Sequence, residues 1–174
     1  VGCRDAHVYA IDSKTGHLKW KYYNNGSWVI ATPAVRNDTV FFTTSDTHKL
    51  IALQASDGRE LYAGSCKTYG FSSPALSGGM LYTGNDGGSL MAFSTRNGQP
   101  VWEFRTQAAV ENRDSLLTAL GEFNLPKLFT ENSYRGMLQT VGRINSLGAV
   151  FSSPAVYNGK VYFGSTDGNL YSLY

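Results

Sequence analysis

Short apolar runs cut by polar turns recur along the whole chain. Val40-Phe41-Phe42, Met80-Leu81-Tyr82 and Val161-Tyr162-Phe163 each leave a turn rich in Asn, Asp or Gly. A second turn follows each run, at Asp46-Thr47-His48-Lys49, Asn85-Asp86-Gly87-Gly88 and Asp167-Gly168-Asn169. Another apolar strand then begins at Leu50, Leu90 and Leu170. The unit ends on a Gly turn and a strand carrying an aromatic, as in Thr15-Gly16-His17-Leu18-Lys19-Trp20 and Asn97-Gly98-Gln99-Pro100-Val101-Trp102. Runs this short, joined by two- to five-residue turns, predict consecutive antiparallel hairpins.

The first strand of each unit has its own signature. Ser72-Ser73-Pro74-Ala75-Leu76 recurs as Ser152-Ser153-Pro154-Ala155-Val156 and, varied, as Ala31-Thr32-Pro33-Ala34-Val35. Pro33 and Pro74 are 41 residues apart, the length of a four-stranded propeller blade. Pro74 and Pro154 are 80 apart, yet residues 105–150 hold no copy of the pattern and read as an insertion. The expected fold is all-β, a β-propeller of four-stranded antiparallel blades with a partly helical insertion. Its segments are a partial repeat over 1–31, repeats over 32–71 and 72–104, the insertion over 105–150 and a partial repeat over 151–174. Two whole and two partial repeats form an incomplete ring, whereas propellers close with roughly four to eight blades. Further blades, or self-association with a second chain, are therefore expected to complete it, since open strand edges invite aggregation.

Ala10-Ile11-Asp12-Ser13-Lys14-Thr15-Gly16-His17-Leu18-Lys19-Trp20 resembles the tryptophan-docking motif of the pyrroloquinoline-quinone-like (PQQ-like) propeller repeats, Ala-x-Asp-x-x-x-Gly-x-x-x-Trp. A second copy keeps Ala52 and Gly58 but carries Gln54 and Tyr62; a third keeps Ala92, Gly98 and Trp102 but carries Ser94. The physics of the motif is independent of the name. A small residue lets the next blade approach, and a ring such as Trp20, Tyr62 or Trp102 buries a large area between blades. Glycine supplies the positive φ of the turn, and Asp12 accepts bonds from turn amides. The expected blade-docking residues are Ala10, Asp12, Gly16, Trp20, Ala52, Gly58, Tyr62, Ala92, Gly98 and Trp102.

Composition agrees with strands. Among 174 residues are 11 Tyr, 9 Phe and 19 Gly, and only 16% are charged. A net charge of +2 excludes a strongly basic nucleic-acid binder, and no apolar run is long enough to span a membrane. Cys3 and Cys66 make neither a disulfide framework nor a metal knuckle. Val1-Gly2-Cys3-Arg4 does not read as a secretory leader.

Within the insertion, Leu116, Leu117, Leu120 and Phe123 fall on one helical face, capped by Asn112 or Asp114 and closed by Pro126. A second helix is expected from Ser133, with Met137, Leu138, Val141 and Ile144 on one face. These faces either pack on each other and on the propeller or form an interaction surface. Strand order places the insertion, Cys66 and the turns carrying Asp5, Asp46, His48, Asp86 and Asp167 on one rim.

The resemblance also implies an enzyme alternative, because quinoprotein dehydrogenases of this family hold PQQ over calcium. Calcium takes roughly six to eight oxygens, and no local run supplies several. His7, His17 and His48 lie far apart, without the spacing of a metal triad. Family members with degenerate repeats assist outer-membrane protein assembly or form extracytoplasmic sensor domains. The expected role is therefore a non-catalytic module for protein binding or scaffolding, with no catalytic, cofactor or metal residues. The resemblance implies a periplasmic or secreted location. A segment of a PQQ/calcium-dependent dehydrogenase is the alternative.

Overall fold

The computed structural model describes residues 1–174 and consists of four antiparallel sheets in sequence. The first holds β1 (His7–Ile11) and β2 (Leu18–Tyr23). The second holds β3 (Ala34–Arg36), β4 (Thr39–Thr43), β5 (Lys49–Gln54) and β6 (Glu60–Ser65). The third holds β7 (Ala75–Ser77), β8 (Met80–Gly84), β9 (Ser89–Ser94) and β10 (Pro100–Arg105). The last holds β11 (Ala155–Tyr157), β12 (Lys160–Gly164) and β13 (Leu170–Leu173). Every neighbour in a sheet is a neighbour in sequence, so each sheet is an up-and-down meander; the second and third are the four-stranded propeller blades of the sequence pattern, while the first holds two strands and the last three.

The core lies between blades. Phe41, Leu50 and Ala52 of the second sheet pack on Leu81, Met91 and Phe93 of the third. Val8 of the first meets Phe42, Ile51 and Leu53 of the second, and Leu90 of the third meets Val161 and Phe163 of the last. Strands β5 and β9 are buried over nearly their whole length, which explains their continuous apolar runs.

Trp20 reaches from the first blade to the second, where its Nε1 donates to the Ala55 carbonyl at 2.8 Å and its ring lies over Gly58. Tyr62 repeats this one blade on, its hydroxyl donating to the Thr95 carbonyl and its ring lying over Gly98. Trp102 stands 5.7 Å from the Tyr82 ring of its own sheet and is 38% exposed. Ala10, Ala52 and Ala92 stand directly opposite Trp20, Tyr62 and Trp102. Asp12 accepts from the Lys14 and Thr15 amides at 3.0 Å each, which with Lys19 holds its carboxyl down at about 2. Gly16 turns that same loop with φ +74°.

The insertion contains α1 (Gln107–Leu116), the short α2 (Leu125–Leu128) and α3 (Tyr134–Asn145). The expected helix over 111–123 is displaced: α1 starts earlier, capped by Thr106 rather than Asn112 or Asp114, and stops at Leu116. Leu117 turns extended and bridges Phe123 across a turn at Gly121 (φ +84°), so the apolar spacing at 116, 117, 120 and 123 belongs to a helix end and a loop. Pro126 sits in the first turn of α2 rather than closing a helix. The second expected helix forms as α3, with Ser133 as its cap.

Thr106 ties the insertion to the propeller. Its buried hydroxyl accepts the Ala109 amide at 3.2 Å and lies 3.1 and 3.3 Å from the Leu147 and Gly148 carbonyls, joining both ends of the insertion. Thr106→Ala should cost about 1–2 kcal/mol. Amide exchange should accelerate in α1 and around 147–150 before it does in β5 or β9; equal acceleration everywhere would contradict this anchoring role.

Candidate interaction rim

Backbone bonds gather three connections and the end of the insertion on one rim. Cys66 donates its amide to His48 at 2.7 Å, Asp86 to Tyr69 at 3.2 Å and Val150 to Asn85 at 2.9 Å. The Asn85 Nδ2 donates to the Cys66 carbonyl at 2.8 Å. Tyr69 is the centre of this surface. Its ring is 4.9 Å from His48, 5.9 Å from Phe71 and 5.6 Å from Phe123, and Phe71 continues to Phe151 at 6.0 Å. Leu116, Phe123, Leu128 and Leu147 form a small core against Tyr69, seating the insertion on the rim.

The eight insertion residues expected to form one surface divide in two. Leu116 and Phe123 are buried, and Leu117 and Ile144 pack partly on the same small core. Leu120, Met137, Leu138 and Val141 face solvent, at 75%, 53%, 54% and 50% exposure. The inward side of α3 is instead Gly136 and Thr140, whose hydroxyl donates to the Leu128 carbonyl at 2.9 Å. Arg143 Nη1 reaches the Lys127 and Leu128 carbonyls at 3.1 and 3.2 Å, clamping α3 onto α2. Met137, Leu138 and Val141 of α3 thus point away from the protein while Ile144 packs inward, and Tyr134 in the first turn of α3 and Phe129 at the end of α2 are exposed as well. Sequence patterning missed Tyr69, Phe71, Phe129 and Tyr134. Tyr69-Gly70-Phe71, directly ahead of the Ser-Ser-Pro-Ala signature, was the available signal for the first two.

Beneath the insertion the electrostatics are unusual. Asp86 is buried, its Oδ1 has no hydrogen-bond partner, and burial lifts its carboxyl to about 7 despite the Thr68 hydroxyl beside it. His48 Nε2 is also buried without a partner; burial lowers that imidazole, with Asp46 and Glu122 acting in the opposite direction. Cys66 is buried, and desolvation pushes its thiol up to about 12, far from nucleophilic at neutral pH. No three His, Cys, Asp or Glu side chains converge on one point. A calcium-supported quinone site needs several carboxylate and carbonyl oxygens around the ion, and the rim residues gather no such set of carboxylates.

The profile of a family described as PQQ_2, outer membrane protein assembly factor BamB, matches residues 4–125. The outer membrane protein assembly factor BamB of Moranella endobia (strain PCIT) is 28% identical over 173 residues, covering 97% of this chain and 37% of that protein. The crystal structure of BamB from Moraxella catarrhalis superposes with a TM-score of 0.68 at 20% identity, covering 99% of this chain and 44% of that one. A quinohemoprotein alcohol dehydrogenase from Comamonas testosteroni gives a TM-score of 0.62 at 18% identity, covering 95% of this chain and 27% of that one. This chain therefore spans less than half the length of each of these relatives.

Proposed function

The chain belongs to the PQQ-like repeat family described as outer membrane protein assembly factor BamB, and from that membership we propose that it is a non-catalytic propeller module for protein binding or scaffolding, acting within a larger propeller or assembly. By analogy with those relatives it works outside the cytoplasm, in the periplasm at the outer membrane, and assists outer-membrane protein assembly. The observation that carries the binding reading is the solvent-facing apolar stripe Met137, Leu138 and Val141, on a helix tied to α2 by Thr140 and Arg143. Monomeric surfaces seldom leave contiguous apolar area uncovered, and such patches mark protein contacts.

Leu138→Asp combined with Val141→Asp tests it. Both side chains point away from the core, so the thermal midpoint should hold, while a central pair of contacts of this kind is worth about 2 kcal/mol or more, roughly thirtyfold in affinity. In cells that depend on this protein, assembled outer-membrane protein should fall several-fold. Undiminished assembly by the doubly charged variant would overturn the reading. The dehydrogenase alternative is separated in the same preparation: PQQ with calcium should leave Trp fluorescence unchanged, and saturable quenching would favour the enzyme.

A further inference from the structure

A negative field gathers around Tyr69, and no lysine or arginine of the chain is paired with its sources. Asp46 stands two residues ahead of His48 and Glu122 directly ahead of Phe123. Both of those rings lie against Tyr69, at 4.9 and 5.6 Å. Asp86 approaches from the buried side: it is 3% exposed, its amide donates to the Tyr69 carbonyl at 3.2 Å, and its Oδ1 has no partner. Burial raises the Tyr69 phenol, and the Asp86 and Asp46 carboxylates raise it further. Asp46 and Glu122 also favour a charge on His48, but burial outweighs them, and its Nε2 stays unpartnered. None of the three carboxylates is in an ion pair. The Lys67 stem passes Gly121, next to Glu122, yet its ammonium is held by Glu103 at 2.6 Å.

The chain shows one blade away what such a place accepts. Trp28 and Tyr69 each stand five residues ahead of the signature proline, Pro33 or Pro74, in the connection that leads to the next blade. Over Trp28 lies the guanidinium of Arg4, 5.2 Å from the ring centre. The face of an aromatic ring attracts a cation, the more so where water is partly excluded. Around Tyr69 the carboxylates add to that attraction, and the rings continue through Phe71 to Phe151, which is 42% exposed. A metal ion does not suit this set, because its carboxylates and imidazole do not converge on one point. A guanidinium is broader, carries several donors in a planar fork and stacks on aromatic faces, so it can serve carboxylates that stand apart. We propose that Tyr69, with Asp46, Asp86 and Glu122 around it, receives an arginine side chain of a partner protein, the guanidinium beside Tyr69 and the stem along Phe71 and Phe151. The inference goes beyond the α3 reading, because these residues take a cation whether or not the α3 stripe binds a protein.

The probe is a blocked tri-arginine peptide, titrated into the whole chain at low salt, where surface charges are least screened. Saturable shifts of the His48, Tyr69 and Glu122 resonances are expected. A tri-citrulline peptide, of nearly the same shape but uncharged, should bind about fivefold more weakly or worse. Tri-arginine should lose as much on Asp46→Asn combined with Glu122→Gln. Both carboxylates are exposed, and Asn keeps an acceptor for the Ser45 hydroxyl and the Trp28 amide, so the thermal midpoint of that variant should hold. Leu138→Ser with Val141→Ser cuts back the α3 stripe without adding charge and should leave the affinity unchanged. Spermidine, a free polycation without a planar head, should bind more weakly than tri-arginine. Equal or tighter binding of spermidine would overturn the assignment to a protein side chain. No saturable shift, equal affinity for the citrulline peptide, undiminished binding by the neutralised variant, or shifts centred on α3 would each overturn the proposal as a whole.

Discussion

Gly58→Ala is expected to destabilise the protein by about 3 kcal/mol, far more than one methyl group on a surface turn ordinarily would. Two costs coincide. Gly58 has φ +76°, which disfavours any Cβ, and that Cβ would lie 2.6 Å from Cε3 and 2.7 Å from Cδ2 of Trp20. The indole cannot slide aside without breaking its 2.8 Å bond to the Ala55 carbonyl, the contact that fixes the first blade to the second. Gly16 supplies the control, because its φ is +74° yet no atom lies within 4 Å of the added Cβ. Gly16→Ala should cost only the backbone part, on the order of 1 kcal/mol. Denaturant unfolding of the two variants decides the matter. Equal losses would mean that the close approach of Trp20 contributes nothing, whereas a Trp20→Ala background should erase most of the difference, as expected for directly coupled residues.

That pair also marks how far the sequence could be read. The Gly-x-x-x-Trp spacing contains both the turn and the ring, so the strands and their order were legible from short-range chemistry. It did not reveal that the ring of one copy covers the glycine of the next, Trp20 on Gly58 and Tyr62 on Gly98, since that partner lies across a blade boundary. The insertion was legible where a cap and an apolar stripe agreed, at Ser133 and α3. It was misread at 111–123, where apolar spacing alone cannot distinguish a helix from a helix end followed by a loop. The buried hydroxyl of Thr106 and the turn at Gly121 decided in favour of the latter.

The orientation of α3 was beyond sequence patterning altogether. An amphipathic stripe is normally the buried one, and Met137, Leu138 and Val141 satisfy that pattern while facing solvent. The inward face is chosen by two local constraints. A Cβ at Gly136 would collide with the Glu131 backbone, so only glycine permits that approach, and the Thr140 hydroxyl satisfies the Leu128 carbonyl at 2.9 Å. A polar bond and a close backbone contact thus set the rotation of the helix. Met137, Leu138 and Val141 are left facing solvent, which connects a local packing detail to the proposed scaffolding role.

Asp86→Asn is expected to stabilise the protein above neutral pH, by up to about 4 kcal/mol, and to do little near pH 4. The carboxyl lies buried beneath the insertion with Oδ1 unpartnered, and desolvation holds its folded value at about 7 against an ordinary 3.8. Below about pH 4 both the folded and the unfolded chain carry the proton, so the group is neutral in the balance. Between about pH 4 and 7 the unfolded chain has released the proton while the folded chain retains it. The folded state then binds more protons, and stability falls as pH rises through this window. Above about pH 7 both states are ionised, and the penalty of a buried, incompletely paired carboxylate stays constant. Asn has nearly the same shape and carries no charge, so its stability curve should run flat where that of Asp86 descends. The measurement is the free energy of unfolding of both proteins from pH 4 to 8. Parallel curves would mean that the carboxylate is solvated when ionised and that the insertion lifts away from the rim to let water in. In that case the protection of α1 amides, relative to their intrinsic exchange rates, should fall with pH in the parent protein and stay constant in the Asn variant, which ties the charge on Asp86 to the seating of the surface that presents α3.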